Sequence, residues 1–198
     1  MRANSPPRQR GFTLLEVLVS LVIMVFGLLG LIGLQAFTQV ATFESYQRGQ
    51  ALILAQDMAD RISTNRGAAL CYNLSSPTTG SPWAGMPAAN PVPTCTAAVG
   101  TAATRAIANT DLAAWDAALK GAGEVSGGAQ VGGILGARGC ISYDATTNSY
   151  RVAVAWQGMA ATVAPNAADA NAVCAINQYG NDAQRREVSV TVRIASLT

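Results

Sequence analysis

From Val17 to Phe43 the chain runs for 27 residues without a charged side chain. Its core, VLVSLVIMVFGLLGLIGL from Val17 to Leu34, is almost entirely apolar. About 20 apolar residues cross a bilayer as a helix, so this run predicts a membrane span. After Leu34 the pattern changes without stopping. Apolar residues recur at Val40, Phe43, Ala51, Leu54, Met58 and Ile62, with Gln47 the one polar break in the row. That spacing is a helical stripe. Gly67, just after Arg66, is the expected stop signal. One helix is therefore predicted from Phe12 to about Arg66, roughly 80 Å long at 1.5 Å per residue. Residues 12–34 form its membrane half and residues 35–66 its amphipathic half.

The remaining chain, residues 67–198, reads as an exported globular domain. Residues 71–109 hold five of the eight prolines (Pro77, Pro82, Pro87, Pro91 and Pro93) and predict a long irregular loop. DLAAWDAALK, Asp111 to Lys120, predicts a short helix with Leu112, Trp115 and Leu119 on one face and Gly121 as its end. Gly-rich residues 121–139 predict another loop. CISY (Cys140–Tyr143) and YRVAVAWQ (Tyr150–Gln157) predict two strands around a polar turn. Glu187 to Ile194 alternates, with Val188, Val190, Val192 and Ile194 on one face, and predicts a third. The expectation is an α+β fold, with a three- or four-stranded antiparallel sheet laid on the second half of the long helix.

Composition narrows the chemistry. Charged residues are only 12% of the chain and histidine is absent. That excludes His-based triads and His-ligated metal, and removes the commonest general acid–base group. No catalytic constellation, cofactor motif or phosphate-binding loop is present, so neither an enzyme nor a cofactor is expected. A formal charge of +2 gives no electrostatic pull on nucleic acid.

The segment before Phe12 carries Arg2, Arg8 and Arg10 and no acid, which predicts that it stays cytoplasmic while the domain is exported. A secretory signal peptide has a shorter apolar region and a small-residue cleavage site, which Leu34-Gln35-Ala36 matches poorly. A plain membrane anchor leaves two details unexplained. Gly11 stands between the basic leader and Phe12, and Glu16 lies alone in apolar surroundings. A carboxylate in a membrane span costs a few kcal/mol or more and marks function by default. Its bland explanation is the helix start, where the dipole favours an anion.

Gly11-Phe12-Thr13-Leu14-Leu15-Glu16, behind a basic leader and ahead of the apolar run, resembles the processing site of type IV prepilins. The resemblance implies cleavage of residues 1–11 by a prepilin peptidase between Gly11 and Phe12, and N-methylation of Phe12 by the same enzyme. It implies that Glu16 meets the Phe12 amine of a neighbouring subunit and sets axial register. It also implies the pilin lollipop, a long helix carrying a small disulfide-tied domain. Loss of the leader's three arginines turns the formal charge of +2 into −1. Many major pilins have a proline where this chain has Gly33. The triplet Gly27, Gly30 and Gly33 supplies either the same local weakness in the helix or small-residue packing between helices. Ala51–Arg66, Asp111–Leu119, Gly139–Asp144 and Tyr150–Met159 resemble minor pilins of the PilV kind, the type IV pilus modification proteins. That implies a low-copy subunit in a priming or tip complex, with an influence on adhesion. Its partners would be other minor pilins, the major pilin and the inner-membrane assembly platform. It would sit in the inner membrane before assembly and in the extracellular pilus afterwards.

Cys71, Cys95, Cys140 and Cys174 show no CxxC spacing, so metal binding is not expected. Export and an even count favour disulfides. The sequential pairing, Cys71–Cys95 and Cys140–Cys174, is expected because each bridge ties down a loop-rich segment. Asp57, Asp60 and Arg61 read as a solvated helix face. Trp115 and Trp156 read as core, and Trp83 as an exposed aromatic. Two alternatives stay open. A type II secretion pseudopilin shares the N-terminal motif. A monomeric membrane-anchored binding protein needs neither cleavage at Gly11 nor a role for Glu16.

Overall fold

A computed structural model describes residues 11–85, 92–95, 98–123, 125–130 and 132–195. Residues 1–10 of the leader, and Pro87 and Pro91 of the expected loop, lie outside the described residues. Helix α1 runs Leu14–Thr64, 51 residues. Thr13 opens it: its carbonyl accepts from Glu16 N at 3.1 Å and Val17 N at 3.3 Å. Contacts divide the chain between Phe43 and Glu44. In the first unit the described side chains, residues 11–43, are all exposed. The second unit, from Glu44 onward, carries a core.

In that unit α1 buries Gln47, Ala51, Ala55, Met58, Ala59 and Ile62. Three alanines on this face let the helix approach its neighbours closely. The start of the stripe and the end of the helix differ from expectation. Val40 and Phe43 of the predicted stripe are exposed, while Gln47, the polar residue in that row, is buried with it. The helix also ends at Thr64, before Gly67. Asn65 turns out of helical geometry (ψ 46°) and its Nδ2 donates to Thr104 O at 2.8 Å and Tyr72 Oη at 3.1 Å. Gly67 lies inside the 3-10 turn Arg66–Tyr72 that follows.

Helix α2 covers Ala102–Leu119, nine residues longer at its start than the expected Asp111 to Lys120. Thr101 and Thr104 form a reciprocal cap, each side chain accepting from the other's backbone N–H, at 3.2 and 2.8 Å. The Thr- and Ala-rich composition there had suggested a loop. Gly121 follows the helix at φ +80°, a conformation that suits glycine. The expected loop 121–139 contains a two-residue hairpin, β2 (Val125–Ser126) and β3 (Ala129–Gln130), and ends where β4 begins.

The main sheet is antiparallel, with order β1-β4-β5-β6. Its strands are β1 (Ala84–Gly85), β4 (Arg138–Asp144), β5 (Ser149–Gln157) and β6 (Arg185–Arg193). The two-residue β1 was not anticipated. Register is unbroken from Ser149↔Arg193 to Gln157↔Arg185. Alternation therefore puts Tyr150, Val152, Val154 and Trp156 on the inner face, against Val192, Val190, Val188 and Arg186. That face, α1 and α2 enclose one core with Trp115 at its centre, 1% exposed. Trp115 Nε1 donates to Leu54 O of α1 at 2.9 Å. A Cβ on Gly139 would sit 2.3 Å from the Trp115 ring, so the glycine admits the indole.

Candidate functional site

Gly11, Phe12 and Thr13 precede the helix and are exposed, so the Gly11–Phe12 peptide bond is not locked into helical hydrogen bonding. Thr13 caps α1: its Oγ1 accepts from Glu16 N–H at 3.3 Å. The signal was in the sequence, since Thr13-Leu14-Leu15-Glu16 has the Thr-x-x-Glu spacing of a capping box. Glu16 stands in the first turn, where the helix dipole favours its charge. Among the described residues no salt bridge involves Glu16. An added Cβ at Gly11, Gly27, Gly30 or Gly33 meets nothing within 4 Å. The fold of the single chain therefore does not require glycine at these four places. α1 is helical through Gly27, Gly30 and Gly33.

The exported unit contributes two clusters of charge. At the C-terminal end of α1, Arg61 is shared between Asp57 and Asp111, each at 2.9 Å. Tyr72 Oη donates to Asp111 Oδ2 at 2.5 Å. Burial, then the bond to Asp111, raises the Tyr72 pKa. Asp57 and Asp60 are solvated as expected, but Arg61 is not simply so: it ties α1 to α2. The second cluster lies against the backbone of residues 172–174. Arg185 is 0% exposed. It binds Asp182 through Nε and Nη2 at 2.7 and 2.8 Å, and Nη1 donates to Glu187 at 2.6 Å. The same Nη1 donates to Ala172 O and Cys174 O at 2.9 and 3.2 Å. Burial pushes the Glu187 carboxyl up to about 7, against the pull of Arg185 and Arg151. The run Asp182-Ala183-Gln184-Arg185-Arg186-Glu187 carried this cluster in sequence, without any spacing to announce it.

Cys71–Cys95 and Cys140–Cys174 are bonded, with Cα–Cα separations of 5.0 and 5.7 Å. The second bridge fastens the residue 170–181 segment over the outer face of β4 and β5. Trp83 corrects an expectation. It is half-buried against the cluster containing Cys140 and Cys174, with the Arg138 guanidinium 5.4 Å from its ring centroid. Trp115 and Trp156 are core residues. Among the described residues no group of His, Cys, Asp and Glu could hold a metal ion.

The model of the prokaryotic N-terminal methylation motif matches residues 6–32. No curated protein and no solved structure matches the chain. The matched stretch contains Gly11, Phe12, Glu16, Gly27 and Gly30, and ends just before Gly33.

Proposed function

We propose that this type IV pilin-like chain is a minor pilin, held in the inner membrane by α1 and then drawn into a priming or tip complex with other minor pilins. The methylation motif supports a type IV pilin-like or pseudopilin protein, processed by a prepilin peptidase and assembled into pilus-like machinery. The α+β architecture fits that class: a long apolar helix whose second half packs on a small antiparallel sheet, with two disulfides. The PilV-like role, the influence on adhesion, and the minor-pilin, major-pilin and platform partners rest on the sequence resemblance.

One observation carries the proposal. The motif of residues 6–32 opens directly into a helix whose side chains are all exposed to Phe43 and which then forms part of a domain core. A lone membrane anchor needs the exposed half but not the motif. In this reading the peptidase hydrolyses Gly11–Phe12, which lies just outside the helix. The new Phe12 amine and Glu16 are then opposite charges one helical turn apart, about 6 Å along the axis. In a lipid-like interior each is costly alone and neutralised when paired. Pairing the amine of one subunit with Glu16 of another fixes the axial step between them. Gly27, Gly30 and Gly33 give α1 either three weak points within the span or small-residue positions for packing against a neighbouring helix.

The test is the intact mass and N-terminus of the protein extracted from native membranes. N-methyl-Phe12 as the first residue is expected; a chain that keeps residues 1–11 refutes the proposal. The pseudopilin reading shares the motif and predicts the same terminus. Crosslinking in the native host separates the two, by capture of pilus or of secretion subunits.

A further inference from the structure

Gly158 to Ala168 is an eleven-residue run without a charge, GMAATVAPNAA, leading from β5 towards Asp169. It is exposed yet firmly held. Gly158 N donates to Gln184 O and Thr162 N to Ala183 O, both at 2.8 Å. Met159 N donates to Glu44 Oε1 at 3.1 Å, and Arg186 Nη2 to Ala160 O at 2.7 Å. With its backbone pinned, the loop turns Met159 and Val163 outward, 55% and 75% exposed. Leu135, 57% exposed, stands at the same end of the sheet, its carbonyl accepting from Gln157 N. Single exposed apolar residues need no explanation. A pinned, uncharged, apolar-tipped loop bonded to Glu44 does.

Its contact with Glu44 fixes where it sits along the chain. A bilayer with its headgroups is about 40–45 Å thick, or roughly 27–30 residues of helix at 1.5 Å each. Counted from a charged Phe12 amine among the cytoplasmic headgroups, that reaches about position 40. Glu44, the first charge after Glu16, then lies about one turn beyond, at the level of the outer headgroups. A loop bonded to Glu44 is at that level too. Arg48, exposed one turn further along α1, is placed to reach lipid phosphates.

We propose that the Met159–Val163 loop is a membrane-contacting surface, resting its apolar tips in the outer headgroup layer of a phospholipid bilayer while the subunit awaits assembly. This rests on the reading of α1 as a membrane-held pilin helix. The apolar tips and the absence of charge match the boundary between headgroups and acyl chains, where amphipathic surfaces bury about 5–10 Å deep. Leaving the membrane then breaks two attachments, the helix and the loop.

The full chain, processed to Phe12, is reconstituted in vesicles of phosphatidylethanolamine and phosphatidylglycerol. Val163→Cys carries an environment-sensitive fluorophore; Met159→Cys is a second site and Thr146→Cys, in the β4–β5 turn, the control. The expected result is a blue-shifted, severalfold brighter signal at 163 and 159, quenched by nitroxide lipids labelled near the headgroup, with neither change at 146. Spectra at 163 and 159 equal to that at 146 overturn the proposal. A shift that needs high protein density and escapes lipid quenching assigns the face to a second copy and also overturns it. Extraction of the same vesicles with alkaline carbonate separates the failures. Protein released into the supernatant refutes the membrane-held helix itself, whereas retained protein with an aqueous signal at 163 refutes only the loop contact.

Discussion

Arg185→Met tests what holds the exported unit's outer segment in place. The methionine keeps most of the volume and removes the charge and every donor. Three losses follow from the geometry. Ala172 O and Cys174 O lose the donor that satisfies them inside the protein. Asp182 loses a two-point partner. Glu187, its side chain 2% exposed, loses its 2.6 Å contact and keeps Arg151 at 3.6 Å. Removing one partner of a buried ion pair costs about 3–5 kcal/mol, mostly as uncompensated charge. The expected loss at pH 8 is in that range. At pH 5 Glu187 is protonated in the folded state of parent and variant alike. Its share then vanishes, leaving about 2 kcal/mol for Asp182 and the two carbonyls. Urea unfolding of the detergent-solubilised chain, followed by Trp115 and Trp156 fluorescence, reads both values. With a slope of about 1–3 kcal/mol per molar urea, the pH 8 midpoint falls by roughly 2 M. Adding Glu187→Gln to the variant should recover the pH-dependent share. A loss under about 1 kcal/mol at pH 8, or one that does not change with pH, would show that the cluster holds nothing.

The parent protein has a pH dependence of its own. Glu187 is raised when folded, to about 7 from an ordinary 4.5, so the folded state binds its proton more tightly. Its contribution is full below the unfolded value and lost as pH rises through 7, on the order of 3 kcal/mol; Glu187→Gln should flatten that part of the urea midpoint against pH. Gly139→Ala forces a methyl into the Trp115 ring and should cost about 1–3 kcal/mol by the same assay; a neutral result would mean that β4 and α2 separate freely. Glu16→Ala should still be cleaved after Gly11 but should fail to enter assemblies, measured by N-terminal mass and by recovery in sheared surface fractions. Normal incorporation of that variant would remove the pairing with Phe12.

Where sequence reading succeeded, a single physical rule acted alone. The apolar run from Val17 shows because nothing else competes over 27 residues. β5 and β6 show because burying one face of a strand forces a period of two. Failures came where two rules compete. Ala102 to Thr110 has helix-forming alanine mixed with threonine, and the start is decided by the pairing of Thr101 with Thr104, which composition does not weigh. Gly67 looked like a stop, yet Asn65 ends the helix because its amide finds Thr104 O and Tyr72 Oη across 39 and seven residues of chain. Trp83 looked exposed because its loop is polar; the Cys140–Cys174 bridge and Arg138 cover it.

The same contrast separates the two halves of α1. Positions 11, 16, 27, 30 and 33 stand out in the sequence because their residues gain little inside one chain. Among the described residues no neighbour crowds these glycines and no cation pairs with Glu16, whose local support is the helix dipole. Such residues point to something outside the molecule; in the proposed function that is a peptidase at Gly11 and a neighbouring amine at Glu16. Glu44 and Arg186 are the reverse case. Each finds its partner 142 residues away within one domain, so no local pattern marks them. They emerge only once β6 is laid beside α1, and with them the loop at Met159. An assembly motif is written locally because its partner must recognise it from outside. The surface at Met159 is written in tertiary contacts, and reading it requires the fold.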